Sequence, residues 1–318
     1  MKFGLHLGTR GIAADPDNLA VLARKADELG LSHLGFSDHV VFTRSTASVY
    51  PYSESGKHPV GSTGFCLEQL SCLTYAAALT RNVRLLTSVM VVPHRPPLLA
   101  AKTLATVDVL SKGRVTVGIG VGWLAEEMAA LGAPPYEKRG AASDEYVHAF
   151  RALWSGNEPS FEGQFVRTRD VVFEPRPVQQ PGLPIWVGGE GPAARRRAGR
   201  IGDGWYPTIR NPKEPLDTPE AVAAGIADVR KHAATAGRDL AAVDVVLFVP
   251  GYNLGKEAKR SDGRRVTFTG SAEQIAEDAR GYAGVGVNEI VVGFESSELQ
   301  DALERMEGLV REVVPSVR

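Results

Sequence analysis

Gly113-Arg-Val-Thr-Val-Gly-Ile-Gly-Val-Gly-Trp-Leu-Ala-Glu-Glu127 is the stretch around which the fold is read. Val115, Val117 and Ile119 alternate with small residues, which suits a short strand covered on both faces. Gly118, Gly120 and Gly122 remove side chains where that strand ends, so the backbone can approach a ligand closely and take positive φ at low steric cost. Trp123 follows, and residues 124–131 carry helical spacing. A glycine turn that opens a helix can present backbone N–H groups to an anion. The spacing is not the dinucleotide fingerprint, which places its third glycine three residues after the second. By itself the stretch fits two readings: a phosphate or cofactor cradle, or tight strand–helix packing.

The elements on either side repeat this alternation. Residues 2–7 form an apolar strand, and residues 17–29 a helix that stops at Gly30. Residues 31–36 form the second strand, ending in Ser37-Asp38-His39. Residues 43–64 are polar and rich in glycine and proline, too long for an ordinary connection, and read as a functional loop or lid. A helix over 67–79 and a strand over 83–92 follow, then a helix over 98–110 opened by Pro96-Pro97. The glycine strand is fourth. A helix over 139–154 precedes an excursion over 155–183 that contains a small hairpin. Strands over 184–189, 202–206, 243–249 and 289–292 alternate with helices over 192–199, 218–236, 271–284 and 298–313, and Ser271 caps the third of these. A second polar loop covers 250–269. Eight strand–helix alternations predict an α/β fold, a (β/α)8 TIM barrel, as a single domain over 1–318 with insertion loops at its C-terminal face. A doubly wound sheet is the alternative. It needs fewer strands and gives no reason for polar and glycine punctuation at so many strand ends.

Bulk properties narrow the function. The chain has 318 residues, is 43% hydrophobic, and carries 36 basic against 37 acidic side chains. That balance argues against a nucleic-acid partner, whose footprint would be basic. No segment reaches the length of a membrane span, and the N-terminus has no signal-peptide core. Cys66 and Cys72 have no metal-ligand pattern and suggest no disulfide framework, so a cytoplasmic setting is expected.

In a barrel of this kind the ligand site lies at the C-terminal strand ends. There the sequence puts Asp38 and His39, Ser88 and Val89, Gly120 to Trp123, and Gly188-Gly189-Glu190-Gly191. Asp38-His39 reads as an acid/base or orienting pair, or else as a helix-capping aspartate beside a satisfied histidine. A metal site is not expected, because only His39 stands in a convincing position. No Gly-x-Ser-x-Gly elbow occurs, and no partner can be named for Ser88 as a nucleophile. The turn at 188–192, leading into a helix, has the layout of a barrel phosphate site, whereas Arg195 to Arg197 read as a solvated helix face. Trp123, Trp186 and Trp205 are candidates to wall an aromatic cofactor or, equally, to pack in the core.

Several segments, in order, resemble the bacterial luciferase-like flavin and deazaflavin oxidoreductases: Phe36-Ser-Asp-His39, Thr87-Ser-Val89, Pro93-His-Arg-Pro-Pro97, the run from Ala101 to Arg114, Gly118 to Trp123, Pro184 to Gly189, and Arg200 to Trp205. The loops over 43–64 and 250–269 carry no such match. The resemblance implies a barrel, usually a homodimer, that holds a flavin-like ring at its mouth. It looks most like the branch using the deazaflavin coenzyme F-420, with the FMN monooxygenases as the alternative and a non-catalytic ligand-binding barrel as a second. By the same resemblance, a bulge at Ser88–Val89, often a cis peptide, backs the ring. Asp38 would lie near the ring's polar edge and His39 near the transferred hydride. Gly120, Val121 and Gly122 would pass close to the ring, and Gly188, Gly189, Glu190 and Gly191 would meet the phosphate. Sugar-phosphate dehydrogenases of this family carry a proton-donating glutamate where Trp123 stands. Trp123 therefore points instead to an apolar or aromatic small-molecule substrate.

Overall fold

The computed structural model describes residues 1–58, 64–156, 159–239, 243–294 and 296–317. Residues 59–63 of the expected lid and 157–158 of the expected excursion lie outside this set. Eight parallel strands close a barrel: β1 (Lys2–His6), β2 (His33–Phe36), β3 (Arg84–Val91), β4 (Val115–Gly120), β7 (Ile185–Gly188), β8 (Gly204–Tyr206), β9 (Asp244–Pro250) and β12 (Glu289–Gly293). Each pairs with its sequence neighbour among these, and β1 pairs with β12 to close the ring. All eight are the strands expected from sequence. The fold is the (β/α)8 barrel.

Local chemistry sets the helix ends. In α1 (Pro16–Glu28) the Asp15 carboxylate accepts from the Asp17 and Asn18 backbone N–H groups, and proline takes the first position. Its buried face is Leu19, Leu22, Ala23 and Ala26. α8 (Ala272–Gly284) begins with a reciprocal capping box between Ser271 and Gln274. The other outer helices are α2 (Gln69–Leu79), α3 (Pro97–Ser111), α4 (Ala125–Ala130), α5 (Arg139–Ser155), α6 (Pro192–Ile201), α7 (Pro219–Thr235) and α9 (Leu299–Gly308). The expected helix over 298–313 changes pitch after α9, and a wider turn covers Leu309–Val313.

The insertions are tied to the barrel. In the excursion, β5 (Phe161–Glu162) pairs antiparallel with β6 (Arg167–Thr168), and the Glu145 carboxylate of α5 accepts from the backbone N–H groups of Gln164, Phe165 and Val166. In the second polar loop, β10 (Asn253–Leu254) pairs in parallel with β11 (Thr269–Gly270), and Asp278 of α8 holds both Arg265 and the Phe268 N–H. Among the described residues no helix is long and apolar enough to cross a membrane.

The main core lies between barrel and helices. Inside the barrel, Leu86, Trp186, Tyr206, Val246 and Val291 form a separate apolar layer. Below it, at the N-terminal end, His33 Nδ1 meets Glu289 Oε1 at 2.7 Å, His33 Nε2 meets Thr116 Oγ1 at 3.1 Å, and the Ser32 hydroxyl donates to the same glutamate oxygen. This end is a saturated polar plug. The open chemistry is at the other end.

Candidate active site at the barrel mouth

The floor of the mouth is built by β3. Its register against β4 shifts between Thr87 and Met90, and the Ser88–Val89 peptide within that bulge is cis. The glycines around it have a reason that sequence alone misses. A Cβ on Gly118 would stand 2.2 Å from the Thr87 carbonyl oxygen, one on Gly120 would stand 2.8 Å from Val89 Cγ2, and one on Gly188 would stand 3.0 Å from Val89 Cγ1. The first requirement of these glycines is therefore to seat the bulge between β4 and β7. Only Gly122, at φ +86°, uses the left-handed region expected of the turn. Trp123 is fixed from behind. Its carbonyl accepts from the Tyr136 hydroxyl, and Arg139 donates to the Gly122 carbonyl while lying over the Tyr136 ring.

Ser88 sits in a hydrogen-bonded chain. Its Oγ is 3.0 Å from His6 Nδ1 and 2.8 Å from the Tyr206 hydroxyl. Burial, with Arg10 nearby, lowers the His6 pKa to about 4, so His6 is neutral at pH 7. Burial also pushes the Tyr206 phenol upward. The chain ties the bulge to β1 and β8 and so orients it.

The two residues that end β2 separate in role. Asp38 is buried, and both its oxygens are taken by the Arg95 guanidinium at 2.8 Å, one of them also accepting from the Val91 N–H. Through these bonds it clamps the end of β3 and the turn that follows. His39 faces the mouth. Its Nδ1 lies 2.7 Å from Glu127 Oε2, and its ring meets Phe42, His58 and Trp123. Glu127 is fully buried in the first turn of α4, and its other oxygen accepts from the Val40 and Val41 N–H groups. Burial opposes its charge, but the bond from His39, the charges of His39 and His94 and the Val40 N–H outweigh burial and hold its pKa below the ordinary glutamate value. His39 therefore keeps its Nδ1 proton on the carboxylate and leaves Nε2 for the mouth.

Residues 43–58 lie over this group. The neighbouring Glu126 carboxylate accepts from the Ala47 and Ser48 N–H groups, and the Ser48 hydroxyl accepts from the Ala125 N–H, so the loop is docked on the start of α4. Tyr50 packs edge-on against Trp123 at 5.1 Å, and His58 stacks on it at 5.6 Å. Burial, with the His39 charge beside it, holds the His58 pKa down to about 3. The mouth is thus capped by aromatic rings around one histidine–carboxylate pair.

On the far side, β7 runs into Gly189 at φ +108° and then into the Gly191 cap of α6. A Cβ on Gly191 would meet nothing within 4 Å, so that glycine leaves open space beside a helix N-terminus. The Glu190 side chain turns away into the protein, accepting from the Thr208 N–H and the Asn211 amide, and burial raises its pKa. Arg195 and Arg197 pair with Asp228 and Asp144. Of the three tryptophans, only Trp123 stands at the mouth. Trp186 belongs to the inner barrel layer, and Trp205 is fully buried with its indole N–H on the Gly189 carbonyl. Val121 lies half-buried between the two turn glycines. Sequence reasoning placed Tyr206 at the end of its strand but missed Glu127, His94, Arg95 and His6 as parts of the site. Their only signal was proximity to quoted motifs, since each acts through a contact across the fold. Among the described residues no cluster of three or more His, Cys, Asp or Glu side chains could hold a metal ion.

Comparison with known proteins agrees with this architecture. An uncharacterized protein of Mycobacterium tuberculosis is 33% identical over 212 residues, covering 66% of this chain and 73% of that protein. An FMNH(2)-dependent dimethylsulfone monooxygenase of Pseudomonas putida is 28% identical over 289 residues, covering 76% of each chain. An F-420-dependent secondary alcohol dehydrogenase, solved with an F-420–acetone adduct, has the same fold at TM-score 0.77 and 18% identity, covering 100% of this chain and 99% of the other. The model of the luciferase-like monooxygenases matches residues 1–252, so the chain belongs to the luciferase-like monooxygenase family.

Proposed function

We propose that this protein is an oxidoreductase that transfers a hydride between coenzyme F-420 and an apolar or aromatic organic substrate. The observation that carries the reading is the His39–Glu127 pair beneath Trp123. Moving a hydride to or from a carbonyl carbon requires a proton to leave or reach the oxygen. A histidine whose Nδ1–H is held by a buried carboxylate, with Nε2 turned to the mouth, suits that exchange.

The residues present fit such a coenzyme. The Ser88–Val89 bulge offers a shaped floor, Gly120, Val121 and Gly122 a close-approaching edge, and Gly188 to Gly191 a turn at a helix N-terminus with open space at Gly191. When bound, the deazaflavin supplies the carbon that gives or takes the hydride. His39 holds or moves the proton at Nε2, Glu127 fixes its tautomer, Trp123 packs the substrate, and Tyr50 and His58 keep water away.

A second reading, a reduced-FMN monooxygenase, is favoured by the sequence likeness to the Pseudomonas putida enzyme. Titration of the purified protein with each coenzyme separates the two. F-420 is expected to bind at least about tenfold more tightly than FMN, a difference of about 1.4 kcal/mol. Oxygen uptake on mixing with reduced FMN, without binding of F-420, would replace the first reading with the second.

The protein is also proposed to be a cytoplasmic homodimer. Its two cysteines are free, and α3 exposes Leu98, Leu99, Val109 and Leu110 on its outer side.

A further inference from the structure

The hydride-transfer reading leaves one question about the same site: how a proton reaches or leaves His39 beneath a cap of aromatic rings. His39 itself is only 13% exposed at its side chain, and Glu127 is not exposed at all. On the other side of Glu127 stands His94, in the turn between β3 and α3. Its Nε2 is 3.9 Å from the same Glu127 Oε2 that receives His39. The His94 side chain is 2% exposed, and its Nδ1 finds no hydrogen-bond partner in the protein. A buried ring nitrogen without a partner destabilises the fold, so its retention asks for a reason. His94 also lines a cavity of about 230 Å³ on the flank of the barrel, together with Arg95, Pro97, Leu131, Ala133 and Tyr146. That cavity has room for water.

We propose that Glu127 and His94 form a proton relay joining His39 to this flank cavity, so that the site exchanges protons while its mouth stays covered. The inference rests on the hydride-transfer reading for its purpose but not for its geometry. A proton arriving at His39 Nε2 is balanced by loss of the Nδ1 proton to Glu127 Oε2. Glu127 then passes that proton to His94 Nε2, and the Nδ1 proton, buried in the resting ring, is released when the ring turns that nitrogen to the cavity. The same steps in reverse deliver a proton to the site. The 3.9 Å gap exceeds a hydrogen bond, so the His94 ring must swing toward the carboxylate for transfer, and rotation of the His39 ring resets its tautomer.

The other charged and titratable groups facing the relay are few. Asp38 and Arg95 are paired with each other, and Arg95 also holds Glu68. Cys66 donates to the His39 carbonyl, and His58 meets the His39 ring. None stands between Glu127 and His94 or offers a shorter path to the cavity. Glu127 and His94 are positioning residues here, acting on the reaction only through His39.

The test needs no substrate. The His39 Nδ1–H, bonded to a buried carboxylate, is followed by proton NMR, and its exchange with solvent is measured in the whole protein without coenzyme. Replacing His94 by glycine (His94→Gly) is expected to slow that exchange by about tenfold or more. Imidazole added to the variant enters the vacated cavity and restores the rate. Pyrrole, of the same size but without a basic nitrogen, does not. Equal rescue by pyrrole, or an unchanged exchange rate in His94→Gly, overturns the relay. If His94→Gly does not fold, the wild-type protein still decides: the His94 ring resonances must shift as His39 titrates, and independence of the two rings overturns the proposal. Failure of F-420 to bind would sink the function above and leave this measurement standing.

Discussion

Two histidine–glutamate pairs stand at opposite ends of one barrel, and both close at 2.7 Å from Nδ1 to a carboxylate oxygen. At the N-terminal end, the second nitrogen of His33 is spent on Thr116, and Glu289 also holds Ser32. At the C-terminal end, the second nitrogen of His39 faces the mouth, and Glu127 stands between His39 and a further histidine with an unpartnered atom. The pair itself is the same. What differs is whether its remaining donors and acceptors are satisfied inside the protein. A saturated pair fixes a fold, whereas an unsaturated one at a ligand-facing surface can exchange a proton.

The sharpest way to break this contrast is to delete each histidine–glutamate pair in turn. His39→Ala should lower coenzyme-linked turnover by about 100-fold or more, as loss of a general acid/base does, with little change in the urea midpoint. If turnover survives, the mouth pair is not the chemical one. Glu289→Ala should do the reverse. It removes the buried acceptor shared by His33 Nδ1 and the Ser32 hydroxyl and should cost about 1–3 kcal/mol in urea unfolding, with turnover per folded molecule unchanged. A Glu289→Ala protein of native stability would contradict the structural assignment.

A third prediction concerns acid. His6, with its pKa lowered to about 4 from an ordinary 6.5, is neutral when folded. Between those values the unfolded chain binds a proton at this residue that the folded chain does not. Its contribution therefore falls as pH drops from about 6.5 to 4 and levels off below, by on the order of 3 kcal/mol. Thermal melts of His6→Gln should show a flatter acid limb than the wild type. Identical limbs would mean that His6 does not carry this term.

The smallest expected effect separates the two glycine turns. Gly120→Ala drives a methyl against Val89 and should cost about 1–3 kcal/mol. Gly191→Ala meets no protein atom and should leave stability within about 0.5 kcal/mol, while binding of F-420 weakens several-fold. Calorimetry and coenzyme titration on the same two variants check both halves. Unchanged binding in Gly191→Ala would remove the turn before α6 from the coenzyme site.

These contrasts show where reading the sequence stops. Val115 to Ile119 announce a strand because side chains alternate every two residues, and α1 and α8 announce themselves through caps a few positions away. Repeated eight times, such local signals determine the barrel, and the barrel rule then gathers His39, Ser88, Gly120 and Gly188 at one end. Facts that depend on partners distant in sequence were not legible. Asp38 ends its strand as expected, yet its carboxylate goes to Arg95, 57 residues on. Glu127 lies in the stretch first read, but its bond to His39 crosses 88 positions. Gly120 and Gly188 were read as space for a ligand, and the space is taken first by Val89. The sequence alone determined the order and type of elements, because hydrogen bonding and side-chain period are settled within a few residues. Only the tertiary structure decided which buried charges are satisfied and which keep an unused atom, because that depends on which side chains the closed barrel brings within 3 Å of one another.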